Sequence, residues 1–200
     1  MAGGVAALAV AQLRSEPAIV VGTVFFYMAL TLVGHMLPLV GIVNERKNHN
    51  LAFLMSLPLS IIQYTAAKLI STLGMFLIPW LTLVAAGVLL IEVRGMAPRG
   101  IIPILVILAV LPFVGMCLIT CAALVGETEG WGIAANVFCS SWYGLTWYFL
   151  SRVPKLMVNA SGPAPVWNST VFQILAGELG LSLLILTLTF YFQSRKRDFL

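Results

Sequence analysis

The chain is poor in charge. Of its 200 residues, 9% are Asp, Glu, Lys or Arg and 60% are hydrophobic, where a soluble domain carries about 25% charged residues. That balance excludes an ordinary water-soluble core and indicates an integral membrane protein. Asp198 is the only aspartate, which excludes an intramembrane aspartyl protease. No Gly-Lys dipeptide occurs, so the G-x-x-x-x-G-K phosphate cradle is absent and the chain has no P-loop with which to hydrolyse ATP. His-Glu-x-x-His and Gly-x-Ser-x-Gly are missing too, so the sequence offers no catalytic constellation and no call for a cofactor. Cysteine is scarce: Cys117, Cys121 and Cys139 all lie in apolar runs, where a disulfide framework is not expected. Cys117 and Cys121 share a helical face and could hold a soft metal. No histidine lies near them in sequence, so they read as polarisable packing residues, and no metal site is expected.

What the chain does have is long apolar runs. In lipid every backbone N–H and C=O must be paired within the protein, which leaves helices or a closed barrel. Barrel strands alternate apolar and polar residues, whereas these runs are continuously apolar, so the expected fold is all-α. A span needs about 20 apolar residues to cross a core roughly 30 Å thick. Five runs qualify: 18–43, 64–93, 101–125, 131–150 and 171–193. The second is long enough to tilt or project. The third carries Pro103 and Pro112, where it should kink or open. The fourth carries Asn136, Ser140 and Ser141, and its aromatic cluster Trp142, Tyr143, Trp147 and Tyr148 reads as interfacial. The apolar stretch 2–13 reaches only about 18 Å as a helix, and no basic residue precedes Ala9-Val10-Ala11 as a signal peptide requires.

The formal net charge is +4, spread over the edges of apolar runs. This reads as helix-end anchoring and gives no case for a nucleic-acid partner. Residues 94–100 and 126–130 are short links. The long connection 151–170 contains Pro154, Gly162, Pro163 and Pro165, so it is not helical throughout. It reads as an external loop, with Trp167 placed to dip into the outer interface and cover a pathway. Placing 44–63 in the cytoplasm puts Arg46, Lys47, Lys68, Arg195, Lys196 and Arg197 inside, against Arg14, Arg94, Arg99, Arg152 and Lys155 outside, as the positive-inside tendency favours.

The other long connection, 44–63, is the most informative piece: NERKNHNLAFLMSLPLSIIQ. Glu45-Arg46-Lys47 closes the first run at the water boundary. Leu51, Leu54, Met55 and Pro58 then follow helical i, i+3, i+4, i+7 spacing, which on periodicity alone describes an interfacial helix. The entrance to the next run follows, YTAAKLIS. This succession resembles the type 2 family of ABC transporter permeases, whose membrane subunits show a glutamate-led segment, an "LLSLP" stretch and a lysine shortly after. The matching positions are Glu45, Leu54, Ser56, Leu57, Pro58 and Lys68.

The resemblance implies a polytopic permease domain whose 44–63 segment is a cytoplasmic coupling helix docking on a separate ABC ATPase subunit. Glu45 would link the span end to the interface, and Asn48 to Leu57 would contact the ATPase. Leu51, Phe53, Leu54 and Leu57 would anchor it, Glu45, Arg46 and Lys47 would form its rim, and Pro58 would limit slack. A second permease subunit, identical or not, would complete the exporter in the cell membrane. The family usually has six spans, and here its first span is not recognised. Two readings of other classes stand beside this one. A membrane scaffold or assembly factor would bind a soluble partner through the same segment. A secondary transporter would couple to protons through His35 and Glu178, the ionisable residues inside spans, where charge is costly and often functional. His35 lies near Pro38 and could satisfy the carbonyl that proline frees. Glu178 lies between Gly177 and Gly180, where helices could approach closely.

Overall fold

In the computed structural model, residues 16–43, 60–95, 97–126 and 128–195 are described. The coupling residues Glu45, Arg46, Lys47, Asn48, Leu51, Phe53, Leu54, Leu57 and Pro58 lie outside them. The described residues form an all-helical bundle: α1 (Glu16–Pro38) running into a π-helical turn (Leu39–Val43), α2 (Ile61–Arg94), a short 3-10 turn (Arg99–Ile101), α3 (Ile102–Val125), α4 (Glu129–Ser151), α5 (Pro154–Ala160) and α6 (Ser169–Arg195). Four helices are long and apolar enough to cross a membrane: Val24–Ile42, Ile61–Arg94, Arg99–Val125 and Ser169–Arg195. The expected fourth span, 131–150, is indeed a helix, α4, but it is not one of these four. Its polar residues and its three glycines, Gly130, Gly132 and Gly144, dilute its apolar character.

Local chemistry sets the helix ends. Ser60 starts α2 with a reciprocal cap: its hydroxyl accepts from the Gln63 amide at 3.2 Å, and the Gln63 carboxamide accepts from the Ser60 amide at 3.0 Å. The polar break therefore ends at Ser60, three residues before the boundary expected at Gln63. Gly95 stops α2 in the left-handed region at φ +59°, its amide returning to the Ile91 carbonyl, a conformation open to glycine without penalty. Arg99 then reaches back to the Glu92 carbonyl at 3.3 Å and its carboxylate at 3.1 Å, covering a C-terminal carbonyl that the helix leaves unpaired. At about 1.5 Å per residue α2 is about 51 Å long, well beyond a hydrocarbon core of roughly 30 Å.

Helix α3 is the axis of the bundle. Its spanning window is 67% buried, against 28% or less for the other three. All four hydrophobic clusters pass through it: Val110, Val114, Met116 and Cys117 in one, Ile104 and Ile107 in the second, Leu111 and Ile119 in the third, Ala123 and Leu124 in the last. A helix apolar on every side is one that is surrounded, and α1, α2, α4 and α6 all pack on α3. The surrounding helices turn large apolar side chains outward, Ile70, Ile78, Val93 and Leu183 among them.

The pairings fix an up-and-down order. Ile42, Leu69, Ala123 and Leu124 meet at one end, where the Gln193 carboxamide also donates to the Leu124 carbonyl. Ile104, Leu150, Leu156 and Val171 meet at the other. Helices α1, α3 and α6 thus run one way, and α2 and α4 the other. At the second end the 151–170 connection is folded onto the bundle. Leu156 of α5 is buried, and the Gly100 amide donates to the Gly162 carbonyl at 3.0 Å.

A methyl group at Gly100 would sit 2.0 Å from the Asn159 carbonyl oxygen, whereas one at Gly74 meets nothing within 4 Å. Gly100→Ala should therefore lower detergent-solubilised stability by about 1–3 kcal/mol. Gly74→Ala should leave it unchanged or raise it by up to about 1 kcal/mol through helix propensity. Thermal unfolding of the two variants against the parent chain checks the contrast.

Candidate functional site in the bundle interior

Polar side chains inside an apolar bundle must be satisfied locally. Most of them here bond to their own helix. Thr31, Thr65, Thr82, Thr120, Ser140, Ser141, Thr146, Thr187 and Thr189 all return their hydroxyls to the carbonyl four residues back, which removes any demand on a partner. Three groups that depart from this pattern are His35 with Tyr143, the unbonded Glu178 and Tyr27, and Lys68 with Gly41.

The first group is a bonded pair. His35 of α1 is 6% exposed and its Nε2 lies 2.9 Å from the Tyr143 hydroxyl of α4. Their ring centroids are 5.5 Å apart. Tyr27, two turns before His35 on α1, meets the Tyr143 ring edge-to-face at 6.0 Å. Asn136 lies beside the imidazole, and the Cys139 thiol points at the Gly115 carbonyl. Glycine at 115 is what admits the pair: a Cβ there would lie 1.8 Å from the Tyr143 oxygen and 3.5 Å from His35 Nε2. The α3 backbone forms one wall of the pair because it has no side chain at that point.

Two expectations are corrected by this geometry. His35 Nε2 is engaged with Tyr143 rather than with the carbonyl Pro38 would free, because the ring is turned towards the gap at Gly115. Tyr143 is 7% exposed, so it belongs to the interior and not to an interfacial aromatic belt. Its neighbours Trp142, Trp147 and Tyr148 do face outward.

The second group is unpaired. Glu178 of α6 buries both carboxyl oxygens and Tyr27 buries its hydroxyl, and among the described residues none of these three atoms makes a hydrogen bond. Glu178 lies within electrostatic reach of Tyr27. The flanking glycines do not bring helices together there: a Cβ at Gly177 or Gly180 would meet nothing within 4 Å. The sequence expectation of close helix approach at that point is not met, since the α6 seam with α3 runs instead through Val171, Ile185 and Gln193. Along it Cys117 lies beside Ser182, and Cys121 beside Thr189. All three cysteines are free thiols.

A third polar contact ties the two helices that flank residues 44–59. Lys68 Nζ donates to the Gly41 carbonyl at 3.3 Å and sits 6.0 Å from the centre of the Tyr64 ring. Gly41 is in the π-helical turn, whose wider hydrogen-bond step leaves carbonyls open to outside donors.

His35 and Glu178 were legible as candidates. Tyr27, Gly115 and Tyr143 were not, since their roles appear only when α1, α3 and α4 meet. No family model, curated protein or solved structure matches the chain. The chain is therefore described by its own features: an all-helical protein with four helices suited to crossing a membrane and a polar cluster inside the bundle.

Tyr143→Phe leaves a buried imidazole nitrogen without its partner and should cost about 1–3 kcal/mol. Gly115→Ala forces the tyrosine away and should cost a similar amount. Because both act on one contact, the double variant should fall well short of the sum. A double-mutant cycle by thermal unfolding checks this, and full additivity would show that the two sites are not coupled.

Proposed function

We propose that the chain is the membrane-spanning permease subunit of an ATP-driven ABC transporter, acting as an exporter in the cell membrane. It crosses the bilayer five times, α4 included. It pairs with a second permease subunit and takes its energy from a separate ATPase. The observation that carries this reading is the 44–63 segment taken with its flanks. The sequence pattern Glu45, Leu54, Ser56, Leu57, Pro58 and Lys68 resembles the type 2 permeases. In the fold, Lys68 is bonded to the carbonyl of Gly41 just before that segment, and the Ser60–Gln63 cap starts the helix just after it. The helices that lead into and out of the segment are thus bonded to each other, which suits an element that transmits force.

The helix order supports the same reading. The ends of α1, α3 and α6 and the start of α2 lie together, so the described residues nearest the segment and the basic tail share one side. With the positive-inside tendency that side is the cytoplasm, where an ATPase would be. The chain's lack of a P-loop then has a reason, because hydrolysis is delegated. Glu45, Arg46 and Lys47 form the rim of the docking element, and Leu51, Phe53, Leu54 and Leu57 its anchors.

The test is co-purification. The chain extracted from native membranes in mild detergent should carry vanadate-sensitive ATP hydrolysis. Reversing both rim charges, Glu45→Lys with Arg46→Glu, should reduce the retained activity about tenfold, equivalent to about 1.4 kcal/mol of interface. ATPase activity that is absent from the wild type, or equal in the two preparations, removes the coupling role.

A further inference from the structure

We propose that Glu178, whose two carboxyl oxygens are buried on α6 without a hydrogen bond from any described residue, is a proton-binding site inside the bundle, occupied by its proton in the conformation described here. Among the described residues no donor reaches its two buried carboxyl oxygens. An ionised carboxylate in that position would lack both water and a partner, at a cost of the order of several kcal/mol. Among the described residues no cation is recorded beside it to offset that cost. Tyr27 of α1 lies within electrostatic reach of Glu178 and carries no positive charge to offset it. Helix α3 contributes only Cys117 and Cys121 between Arg99 and its end, and α2 carries no ionisable residue between Lys68 and Glu92. Lys68 itself is at the far end, on the Gly41 carbonyl. His35 of α1 is bonded to Tyr143, and Glu16 lies at the helix's start.

A neutral carboxylic acid resolves the conflict. It buries at the cost of a polar group rather than an ion. Loss of the proton reverses the balance, because the carboxylate must then reach water or a cation. Proton release therefore favours a different arrangement of α6 against α1, and the two conformations differ in proton affinity as linkage requires. Among ionisable groups inside the membrane such a role is common. The site rests on the membrane placement proposed above and is independent of any ATPase.

The experiment uses the full chain reconstituted in phosphatidylcholine vesicles at neutral pH. Infrared difference spectra are taken between wild type and Glu178→Gln, a replacement that keeps the shape of the neutral acid and should fold. The expected result is a protonated-carboxyl C=O band in the wild type that is lost in the variant. As a second reading, the vesicles are treated with dicyclohexylcarbodiimide. The acid proton moves to one carbodiimide nitrogen, the carboxyl oxygen bonds to the central carbon, and acyl transfer to nitrogen leaves a stable N-acylurea on the side chain. Peptide mass spectrometry should find that adduct at Glu178, and the labelled fraction should fall as bulk pH rises. Flotation of the vesicles separates the two ways to fail. A chain that does not float overturns the membrane placement, and the site with it. A floated chain whose Glu178 shows only carboxylate bands overturns the proton site alone.

Discussion

A helix surrounded by hydrocarbon cannot send a freed carbonyl to water, so a neighbour's side chain must answer it. That constraint shapes how these helices are held together. Pro38, Pro79 and Pro112 lie inside α1, α2 and α3, and each removes an amide and crowds the carbonyl four residues back. Cross-helix donors appear beside these breaks and at helix ends. Trp80 Nε1, next to Pro79, donates to the Ala109 carbonyl at 2.7 Å, one turn before Phe113 and beside the carbonyl that Pro112 frees. Lys68 serves Gly41 after Pro38. Gln193 serves Leu124 near the end of α3. Each bond joins two different helices, so meeting the backbone's demand also fixes α1 to α2, α2 to α3 and α6 to α3.

Around those ties the packing is unspecialised except where room is made for a polar group. Phe76, Trp80 and Phe113 stack within 6.1–6.4 Å of one another, filling the α2–α3 seam with contacts that any large aromatic could supply. On the opposite side of α3 the reverse applies. Gly115 withholds a side chain, and the space it leaves is taken by a tyrosine oxygen and an imidazole. A bonded pair of this kind fixes the rotation of α1 and α4 about their axes, because turning either helix would separate donor from acceptor in a medium with no substitute.

Much of this was legible in the sequence. The runs 18–43, 64–93, 101–125, 131–150 and 171–193 correspond to helices within about two or three residues of the structure's boundaries, since continuous apolarity and the Ser60, Gly95 and Gly126 punctuation are local signals. In α4 the hydroxyls and glycines weaken the same signal, and it is not among the four helices apolar enough to cross a membrane. The interior site was half legible: His35 and Glu178 stand out as ionisable residues in apolar runs. Tyr143 did not, because a tyrosine among Trp142, Trp147 and Tyr148 looks interfacial until its 108-residue partner is known. Pairings between helices depend on rotation and register, which hydropathy does not encode. The 151–170 connection shows the same limit. Its prolines mark a loop, but only the fold shows Leu156 buried against Ile104 and Ile107.

The two functional proposals meet on α1. Tyr27 and His35 are eight residues apart, close to two full turns apart, and so lie near one face of the helix. The π-helical turn and the Lys68 bond lie at its end. A force delivered through residues 44–59 must enter the bundle at Gly41 or Ser60, and the route through Gly41 leads along α1 to His35 within about 10 Å and to Tyr27 about 12 Å further. The bonded pair resists rotation there. Glu178 makes no side-chain hydrogen bond among the described residues that such a movement would break. A partner acting at one end of the bundle and a proton acting in its middle would then shift the same helix, and each would alter the other's affinity by the same factor.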